Sequence, residues 1–419
     1  LMRILLVGAS GFIGGHLLRA LSLAGHQVLA TSRSGRGPEL PGVEWQPLDL
    51  LALDTFVWPQ SVDLLINASG LLSSDAAALR ELQDQAASAL LRDAAARGMR
   101  LLQISALGAG EQDDVPFLSS KAAADRCALQ LGVPALVLRP SLVLGEGGAS
   151  SAWLQRLSPW PLIPLLDNRA QLQPLHVDDL CAAVLALLRQ WPAANAVLPL
   201  VGPQALSQGG LIDQLRAAQG WPAGRYLKLP PALTTPLARL GDRLGWRALN
   251  SQTLRLAGRD NLGSIEPLAE ACGYRAAPLA ARLLTWPQRG RTAQLALQPL
   301  LLAALVLIWL GTALVCLGPG FDWGLRIMAE MGVHGWAARL VVIGGGLLDG
   351  LLGVALLLRR WRVAALRAQI ALMLGYTLLI SLWLPHYWFD PYMAVGKNLV
   401  LVVASLWLLW LEKGAEKSR

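Results

Sequence analysis

The sequence predicts an α/β domain with a doubly wound parallel sheet, followed by an all-α bundle of four transmembrane helices. Up to about residue 290, short apolar runs alternate with amphipathic helical stretches, a pattern typical of parallel strands joined by crossover helices. Beyond that point, four apolar stretches carry almost no charge, and a bilayer-spanning helix needs roughly 17–25 such residues with its flanks. We therefore expect three parts in the chain: 1–148 for most of the sheet, 149–288 for a smaller domain that completes the fold, and 289–419 for the transmembrane bundle.

The first strand and turn carry the strongest functional signal. Apolar residues from Met2 to Val7 precede glycines at positions 8, 11 and 14, and an amphipathic stretch runs from Ile13 to Ala24. In such a turn the first glycine permits a tight bend, the second lets the backbone approach a diphosphate, and the third lets helix and strand pack closely. The helix N-terminus then presents N–H groups and a positive dipole to phosphate. We expect a dinucleotide site here; the alternative is an ordinary glycine-rich turn.

The end of the second predicted strand, His26–Ala30, indicates which dinucleotide is bound. A carboxylate at this position bonds the ribose 2′-hydroxyl of NAD, whereas an arginine accommodates the 2′-phosphate of NADP. No acidic residue occurs between Gln27 and Arg36, whereas two basic residues, Arg33 and Arg36, are present. NADP is therefore the expected cofactor, with NAD as the second choice.

The remaining elements continue the alternation of strands and helices, which places ligands at the carboxyl ends of the strands. The predicted strands are Val43–Gln46, Val62–Asn67, Arg100–Ser105 and Pro134–Leu138, and the predicted helices between them are Asp75–Arg97 and Lys121–Leu131.

Several motifs together resemble the short-chain dehydrogenase/reductase superfamily over residues 2–285. They are the glycine turn Gly8–Gly14, Asp49-Leu50, Ser105, Lys121, Leu138–Ser141 and His176–Leu180. The resemblance is greatest to the extended or atypical branch, which includes nucleoside-diphosphate-sugar epimerases and the nucleotide-binding accessory subunit of respiratory complex I. It implies a Rossmann domain, with the smaller domain contacting substrate. It also implies that Gly8, Ser10, Gly11, Phe12, Ile13 and Gly14 hold the diphosphate, Arg33 the adenosine ribose, Asp49 and Leu50 the adenine, and Ala68, Ser69, Gly70 and Lys121 the nicotinamide ribose.

The superfamily's catalytic pattern, Tyr-x-x-x-Lys, is incomplete in this chain. In that pattern the tyrosine exchanges a proton with the substrate while the nicotinamide exchanges a hydride. Here the segment reads Phe117-Leu-Ser-Ser-Lys121, and none of the five tyrosines lies in the first 225 residues. Lys121 and Ser105 remain as catalytic candidates, the latter as a hydrogen-bond donor to a carbonyl. Ser119, Ser120 or His176 could relay protons through water, although His176 with the two aspartates after it is expected to order the start of a helix.

Two functions from different classes stay open. The first is a membrane-anchored oxidoreductase whose acceptor is a quinone or another lipid-like molecule. The second is a protein that binds the nucleotide without turnover, as a sensor or assembly subunit at the membrane. A third, in which the bundle itself handles a small redox species, is less favoured. The four cysteines lack metal-ligand spacing, so no metal is expected, and the net charge of +8 is interpreted as membrane orientation, not nucleic-acid binding.

The transmembrane part resembles a DoxX-type domain over about residues 295–412, on the segments Pro385–Pro391 and Lys397-Asn398. Asp349 is expected to face the bundle interior, because a charged side chain in a bilayer is costly. Basic residues cluster on one side of the helices, which predicts a cell inner or plasma membrane protein with the N-terminal domain and the C-terminus in the cytoplasm; a homodimer stays open. The predicted stretches are Leu300–Leu317, Leu340–Leu358, Ile370–Leu384 and Leu399–Leu411, and the basic residues are Arg282, Arg289, Arg291, Arg359, Arg360, Arg362, Arg367, Lys413, Lys417 and Arg419.

Overall fold

The computed structural model describes residues 1–71, 73, 75–112, 114–166, 169–244, 250–287, 289–391 and 393–417. These residues form two compact units, 1–292 and 293–419. Of the basic residues used for the orientation, Arg419 lies outside the described residues, as do the side chains of Arg289, Lys413 and Lys417.

The first unit is built on a seven-stranded parallel sheet, which confirms the predicted fold class. Along the sheet the strands lie in the order β7-β6-β5-β4-β1-β2-β3, so the chain reverses direction beside β1. Ligands bind in the crevice at such a reversal in open α/β sheets. The strands are β1 Arg3–Val7, β2 Gln27–Ser32, β3 Val43–Pro47, β4 Leu64–Asn67, β5 Arg100–Ile104, β6 Ala135–Pro140 and β7 Ala196–Leu200.

Helices cover both faces of this sheet, because successive side chains of a strand point to opposite faces. Ile4 and Leu6 of β1 pack in the cluster that also contains buried residues of α1 and α6. Leu5 and Val7 pack in a second cluster with buried residues of α3. The helices of this unit are α1 Phe12–Leu23, α2 Ala76–Leu79, α3 Ala87–Ala96, α4 Pro116–Gln130, α5 Ala149–Leu157, α6 Val177–Arg189, α7 Gln208–Ala218, α8 Pro231–Leu244, α9 Ser251–Ala257, α10 Glu266–Cys272 and α11 Leu279–Arg282.

Three features differ from the sequence-based elements. The strand β7 was not predicted, and it pairs with β6 at the sheet edge. Helix α4 begins at Pro116, ahead of the predicted start at Lys121, because proline suits the first helical position. The helix predicted over Asp75–Arg97 is interrupted by a π turn, Arg80–Ala86; such turns are frequent at functional sites.

A buried carboxylate holds the C-terminal part of this unit against the sheet domain. Asp179 near the start of α6 accepts hydrogen bonds from the Tyr274 hydroxyl at 2.6 Å, the Ala277 amide at 3.2 Å and the Arg282 guanidinium at 2.8 Å. Burial alone would raise the pKa of Asp179, but the hydrogen bonds from Arg282 and Tyr274 outweigh it and hold this pKa below its usual value. Arg282, counted above among the residues that set membrane orientation, is therefore an ion-pair partner inside this unit.

The second unit contains four helices long and apolar enough to cross a membrane, as predicted. The segments that meet this criterion are Gly290–Leu317, Gly335–Leu357, Arg362–Trp383 and Ala394–Glu412. A shorter helix, which was not predicted, connects the first two. The helices are α12 Arg289–Leu317, α13 Phe321–Glu330, α14 Gly335–Leu357, α15 Arg362–Trp383 and α16 Ala394–Lys417.

Glycines bring two of these helices close together. A Cβ atom added at Gly346 of α14 would lie 2.9 Å from Leu317 of α12, and one at Gly353 would lie 2.8 Å from Leu310. Contacts this short leave no room for a side chain. Small residues at helix interfaces allow such approach in lipid, where dispersion contacts replace the hydrophobic effect.

Candidate nucleotide-binding site

The turn after β1 has the geometry that its three glycines predict. Gly8 has a φ of +81°, which favours glycine, and a Cβ atom there would lie 2.8 Å from the Ala68 backbone. A Cβ atom at Gly14 would lie 2.0 Å from the Gly8 carbonyl oxygen. Gly11 is the N-cap of α1, and its amide donates to that same oxygen at 2.9 Å. The turn therefore packs against the start of α1 only because these positions carry no side chain.

The start of α1 presents backbone amides toward the space above the sheet. Phe12, Ile13 and Gly14 occupy the first helical positions, whose N–H groups precede the first intrahelical hydrogen bonds and suit an anion. The Phe12 ring packs on the loop after β6, since a Cβ atom at Gly148 would lie 3.0 Å from it. The edge of His16 also contacts that ring, with the centroids 5.5 Å apart. Phe12 therefore fixes the loop beside the expected diphosphate position, and Ser10 lies exposed at the turn.

The predicted adenosine contacts lie at adjacent strand ends. Ser32 at the end of β2 pairs with Pro47 at the end of β3, so the residues that follow share one edge of the sheet. Arg33 is exposed there. Asp49 accepts a hydrogen bond from the Leu51 amide at 3.1 Å and caps a 3₁₀ helix that starts at the half-buried Leu50. The structure thus brings Arg33, Asp49 and Leu50 to one edge of the sheet.

The segment after β4 is fixed by a buried amide pair. The Asn67 amide group donates to Gln103 of β5 at 2.8 Å, and the Asn67 side-chain oxygen accepts from the Ser69 hydroxyl at 2.6 Å and the Ser69 amide at 3.1 Å. This holds Ala68, Ser69 and Gly70 against the glycine turn. Sequence reasoning missed Asn67 and Gln103, although polar side chains inside two buried strands were a signal.

Lys121 lies beside Gly70, as the resemblance implies. The lysine is buried, its Nζ donates to the Ile104 carbonyl at 3.3 Å, and a Cβ atom at Gly70 would lie 3.7 Å from that nitrogen. Burial lowers the pKa of Lys121 to about 8, although the Asp125 carboxylate opposes this shift. Lys121 can therefore both donate hydrogen bonds and lose a proton near neutral pH.

The Ser105 hydroxyl donates to a side chain of the protein itself. Its hydroxyl donates to Asp125 at 2.7 Å, and Arg139 donates to the same carboxylate oxygen at 3.0 Å. Burial raises the pKa of Asp125, and the contacts with Ser105 and Arg139 oppose that shift. A hydroxyl has one proton to donate, so in this structure Ser105 has none left for a substrate. Sequence reasoning missed Asp125, although its spacing of four residues from Lys121 places both on one face of α4.

Phe117 occupies the position of the superfamily's tyrosine, one helical turn before Lys121. Its ring centroid lies 5.9 Å from the Lys121 Nζ. The Ser120 hydroxyl donates to Gln83 at 3.0 Å, and Ser119 donates to the Pro116 carbonyl at 3.3 Å. Both candidate relay hydroxyls therefore donate to the protein itself.

His176 caps a helix, as expected from the aspartates that follow it. Its Nδ1 accepts a hydrogen bond from the Asp178 amide at 3.3 Å at the N-terminus of α6. Burial lowers the pKa of His176, although Asp178 and Asp179 oppose the shift. A neutral imidazole is the form that can accept this bond.

The bundle has its own buried polar residues. Asp349 is 7% exposed, and its Oδ1 has no hydrogen-bond partner among the described residues. It interacts electrostatically with Cys316 and Tyr376. Gln369 of α15 donates to the Leu352 carbonyl at 3.3 Å, one turn from Asp349. The carboxylate therefore faces the bundle interior, as predicted.

Comparison with known proteins separates the same two parts. The NAD dependent epimerase/dehydratase family model matches residues 4–197, and the DoxX-like family model matches residues 283–406. Together with the four apolar helices, the second match identifies a multi-pass membrane protein.

Two curated relatives match about half of the chain. The ceramide reductase of Caulobacter vibrioides is 27% identical over 194 residues, which are 44% of this chain and 60% of that protein. Subunit 9 of the NADH dehydrogenase (ubiquinone) 1 alpha subcomplex from Arabidopsis thaliana mitochondria is 26% identical over 253 residues, or 56% of this chain and 62% of that protein. The chain thus spans about three fifths of the length of these relatives.

Solved structures share the fold at low identity. The human epimerase family protein SDR39U1, solved with NADPH, superposes with a TM-score of 0.53 at 20% identity, over 68% of this chain and 98% of that one. The chain thus matches the NAD dependent epimerase/dehydratase family model in its N-terminal part and the DoxX-like family model in its C-terminal part.

Proposed function

We propose that this protein is a membrane-anchored, NAD(P)H-dependent oxidoreductase of the short-chain dehydrogenase/reductase superfamily that reduces a lipid-soluble or membrane-proximal acceptor such as a quinone. The observation that carries the proposal is the pairing of an intact glycine turn with Lys121, whose Nζ lies 3.7 Å from the position of a Cβ atom at Gly70. A ceramide reductase and a subunit of a ubiquinone-linked dehydrogenase among the relatives support a lipid-phase acceptor.

The bound nicotinamide would supply a hydride, that is, one proton together with two electrons. The residues of this chain hold it in place: the amides of α1 bind the diphosphate, and the Ala68–Gly70 turn with Lys121 binds the nicotinamide ribose. Reduction of a carbonyl or quinone oxygen also needs a proton. With a pKa of about 8, Lys121 is mostly protonated at neutral pH and supplies that proton from its ammonium group.

We propose NADP as the preferred coenzyme, on the side chains at the end of β2. Arg33 and Arg36 are both exposed there, and a guanidinium pairs well with a phosphate group. We also propose that the nucleotide-binding unit and the C-terminus lie on the cytoplasmic side of the plasma membrane, because the segment 359–367 at the junction of α14 and α15 and the two ends of the bundle are basic.

A second candidate function is a nucleotide-binding sensor or assembly subunit without turnover. Two observations favour it: Phe117 stands where the superfamily has its proton donor, and the Ser105 hydroxyl donates to Asp125. The relative in mitochondrial NADH dehydrogenase supports this alternative as well, since that protein is named as a subunit of a larger assembly.

One experiment separates the two candidates. The full chain is purified in mild detergent, co-purified nucleotides and lipids are identified by mass spectrometry, and NADPH oxidation is followed with a panel of quinones and carbonyl compounds. Turnover that is lost in Lys121→Met but kept in Arg126→Met supports the reductase, because Arg126 is an exposed basic residue on the same helix. Tight binding of NADPH with no turnover toward any acceptor contradicts the reductase and supports the sensor.

A further inference from the structure

Helix α8 carries an apolar face of which about half is exposed in the described structure. Leu233, Leu237, Leu240 and Leu244 are 55%, 39%, 42% and 56% exposed. At about 100° per residue they fall within roughly 60° of arc on the helix. The buried positions of this helix, Thr234, Ala238 and Gly241, carry small residues and lie about 100° around the helix from the leucines.

The charges of α8 give this face a definite chemical character. Arg239 and Arg243 are exposed and lie on the side of the leucines away from the buried positions. The short strand before the helix ends in the exposed Lys228. The one acidic residue of the helix, Asp242, accepts a hydrogen bond from the Ser251 amide at 3.0 Å. An apolar stripe bordered by basic residues is the pattern of a helix that lies in the plane of an anionic membrane surface.

The position of this helix in the fold connects it to the candidate site. Helix α8 packs against α9, and α9 holds both loops that lead to the site. Gln252 donates to the Ser73 carbonyl at 2.9 Å, and Arg255 donates to the Asp114 carbonyl at 3.0 Å. Ser73 follows Gly70 by three residues, and Asp114 precedes Phe117 by three.

We propose that the leucine face of α8 inserts into the interface of the anionic bilayer that holds the transmembrane helices. The first unit ends at Thr292, and the first transmembrane segment already starts at Gly290, so the chain passes from this unit into a membrane span without a long linker. A second copy of the chain is a poorer occupant, because a stable interface buries roughly 1,200–2,000 Å² and a single stripe of four leucines is far smaller.

The consequence for substrate rests on the proposed function. If the acceptor is dissolved in the lipid phase, a helix seated in the interface brings the loop after Gly70 and the loop before Phe117 toward that phase. An acceptor could then enter the site without crossing water. The membrane contact itself does not depend on turnover.

The test measures the depth of α8 in the full chain. The four native cysteines are replaced, and a single cysteine is then introduced in place of Leu237 or Leu240. A cysteine in place of Leu23 serves as the control, because Leu23 lies on α1 and is 89% exposed. Each variant is spin-labelled and reconstituted into vesicles of phosphatidylcholine and phosphatidylglycerol. We expect the labels on α8 to relax faster with oxygen, which partitions into lipid, than with a water-soluble nickel complex, and the label at Leu23 to show the reverse.

Two results would overturn the inference. One is a label at position 237 that is as accessible to nickel as the label at position 23. The other is a label shielded from both agents, which would mean that protein covers the leucines. The charge-reversed chain with Arg239→Glu and Arg243→Glu provides a second arm: its α8 labels should become more nickel-accessible in the anionic vesicles, and unchanged accessibility would contradict the role of the basic border.

A functional arm addresses substrate access separately. Leu237→Glu with Leu240→Glu should lose turnover of a long-chain quinone dissolved in the vesicles while keeping turnover of a short-chain, water-soluble quinone; Leu23→Glu should keep both. Equal loss of both activities, or of neither, would contradict the access role. If no variant, including the parent, shows turnover, the proposed reductase fails, whereas the depth measurement still decides the membrane contact.

Discussion

The Ser105 hydroxyl donates a hydrogen bond of 2.7 Å to Asp125, which joins the end of β5 to the buried face of α4. Arg139 of β6 donates to the same carboxylate oxygen at 3.0 Å, so the arrangement spans three elements of the sheet domain. The Ser105 proton is thereby held inside the fold. Because Phe117 stands where the superfamily has tyrosine, the proposed reductase would take its proton from Lys121.

Phe117→Tyr should increase turnover of carbonyl or quinone acceptors. The Phe117 ring centroid lies 5.9 Å from the Lys121 Nζ, so a hydroxyl on that ring would stand one turn from an ammonium group that favours its ionised form. General acid–base catalysis contributes roughly 10²–10⁴-fold, and we expect a gain of that order in the rate of NADPH oxidation. Phe117→Leu serves as the control without a hydroxyl. Unchanged turnover in Phe117→Tyr with normal NADPH binding would contradict the assignment of position 117 to the place of the superfamily's catalytic tyrosine.

The rate of reduction should fall as pH rises through about 8. Burial lowers the pKa of Lys121 to about 8, and only its ammonium form donates a proton. A pH profile of NADPH oxidation measures this limb. In Lys121→Arg the residual activity should lack the limb in this range, since arginine stays protonated. A flat profile in the parent protein would remove Lys121 as the donor.

Stability should show the same ionisation with the opposite trend. Between about 8 and the ordinary lysine value of 10.5, the unfolded chain binds more protons than the folded chain at position 121. The free energy of unfolding therefore rises with pH across this window. Hydrogen exchange of the sheet amides in detergent micelles, compared with Lys121→Met, measures it; the variant should lose that rise.

Gly11→Asp should abolish NADPH binding without unfolding the domain. A Cβ atom at Gly11 would lie 3.2 Å from the Gly8 oxygen, which requires a small shift, but the carboxylate would stand where the diphosphate is expected. Gly15→Ala is the matched control, because its Cβ atom would make an ordinary contact of 3.6 Å with the Ala9 oxygen. Calorimetric titration with NADPH compares the two. Retained affinity in Gly11→Asp would place the nucleotide elsewhere.

Arg33→Ser should weaken binding of NADPH more than binding of NADH. A hydrogen bond to a charged group contributes about 1.5–3 kcal/mol, which corresponds to roughly tenfold or more in affinity. Titrations of both coenzymes measure the ratio, and Arg19→Ser, an exposed arginine on α1, controls for general loss of positive charge. An equal loss of affinity for both coenzymes would contradict the preference for NADP and favour NAD.

The sheet and the bundle could be derived from sequence because their patterns are periodic. Alternation of apolar strands with helices predicted six of the seven sheet strands, and uncharged length predicted the four long apolar helices. The edge strand β7 was missed because Ala196–Leu200 includes a proline and follows a proline-containing segment. The amphipathic α13 was missed because it carries charge and is too short to span.

The polar side chains of the site were harder to derive, because their roles depend on contacts distant in sequence. The Asn67–Gln103 pair and the Asp125–Arg139 pair join different elements, and no local spacing specifies such pairs. The direction of the Ser105 hydroxyl likewise depends on Asp125. The division at residues 148 and 149, and the individual cofactor contacts, stay predictions.

The hydrogen bonds from Tyr274 and Arg282 to Asp179 also bear on biosynthesis. These donors are translated shortly before the first membrane segment, which begins at Gly290. A growing chain can form these hydrogen bonds only after Tyr274 and Arg282 have left the ribosome. The first unit therefore completes these contacts at about the time when the first hydrophobic helix reaches the insertion machinery.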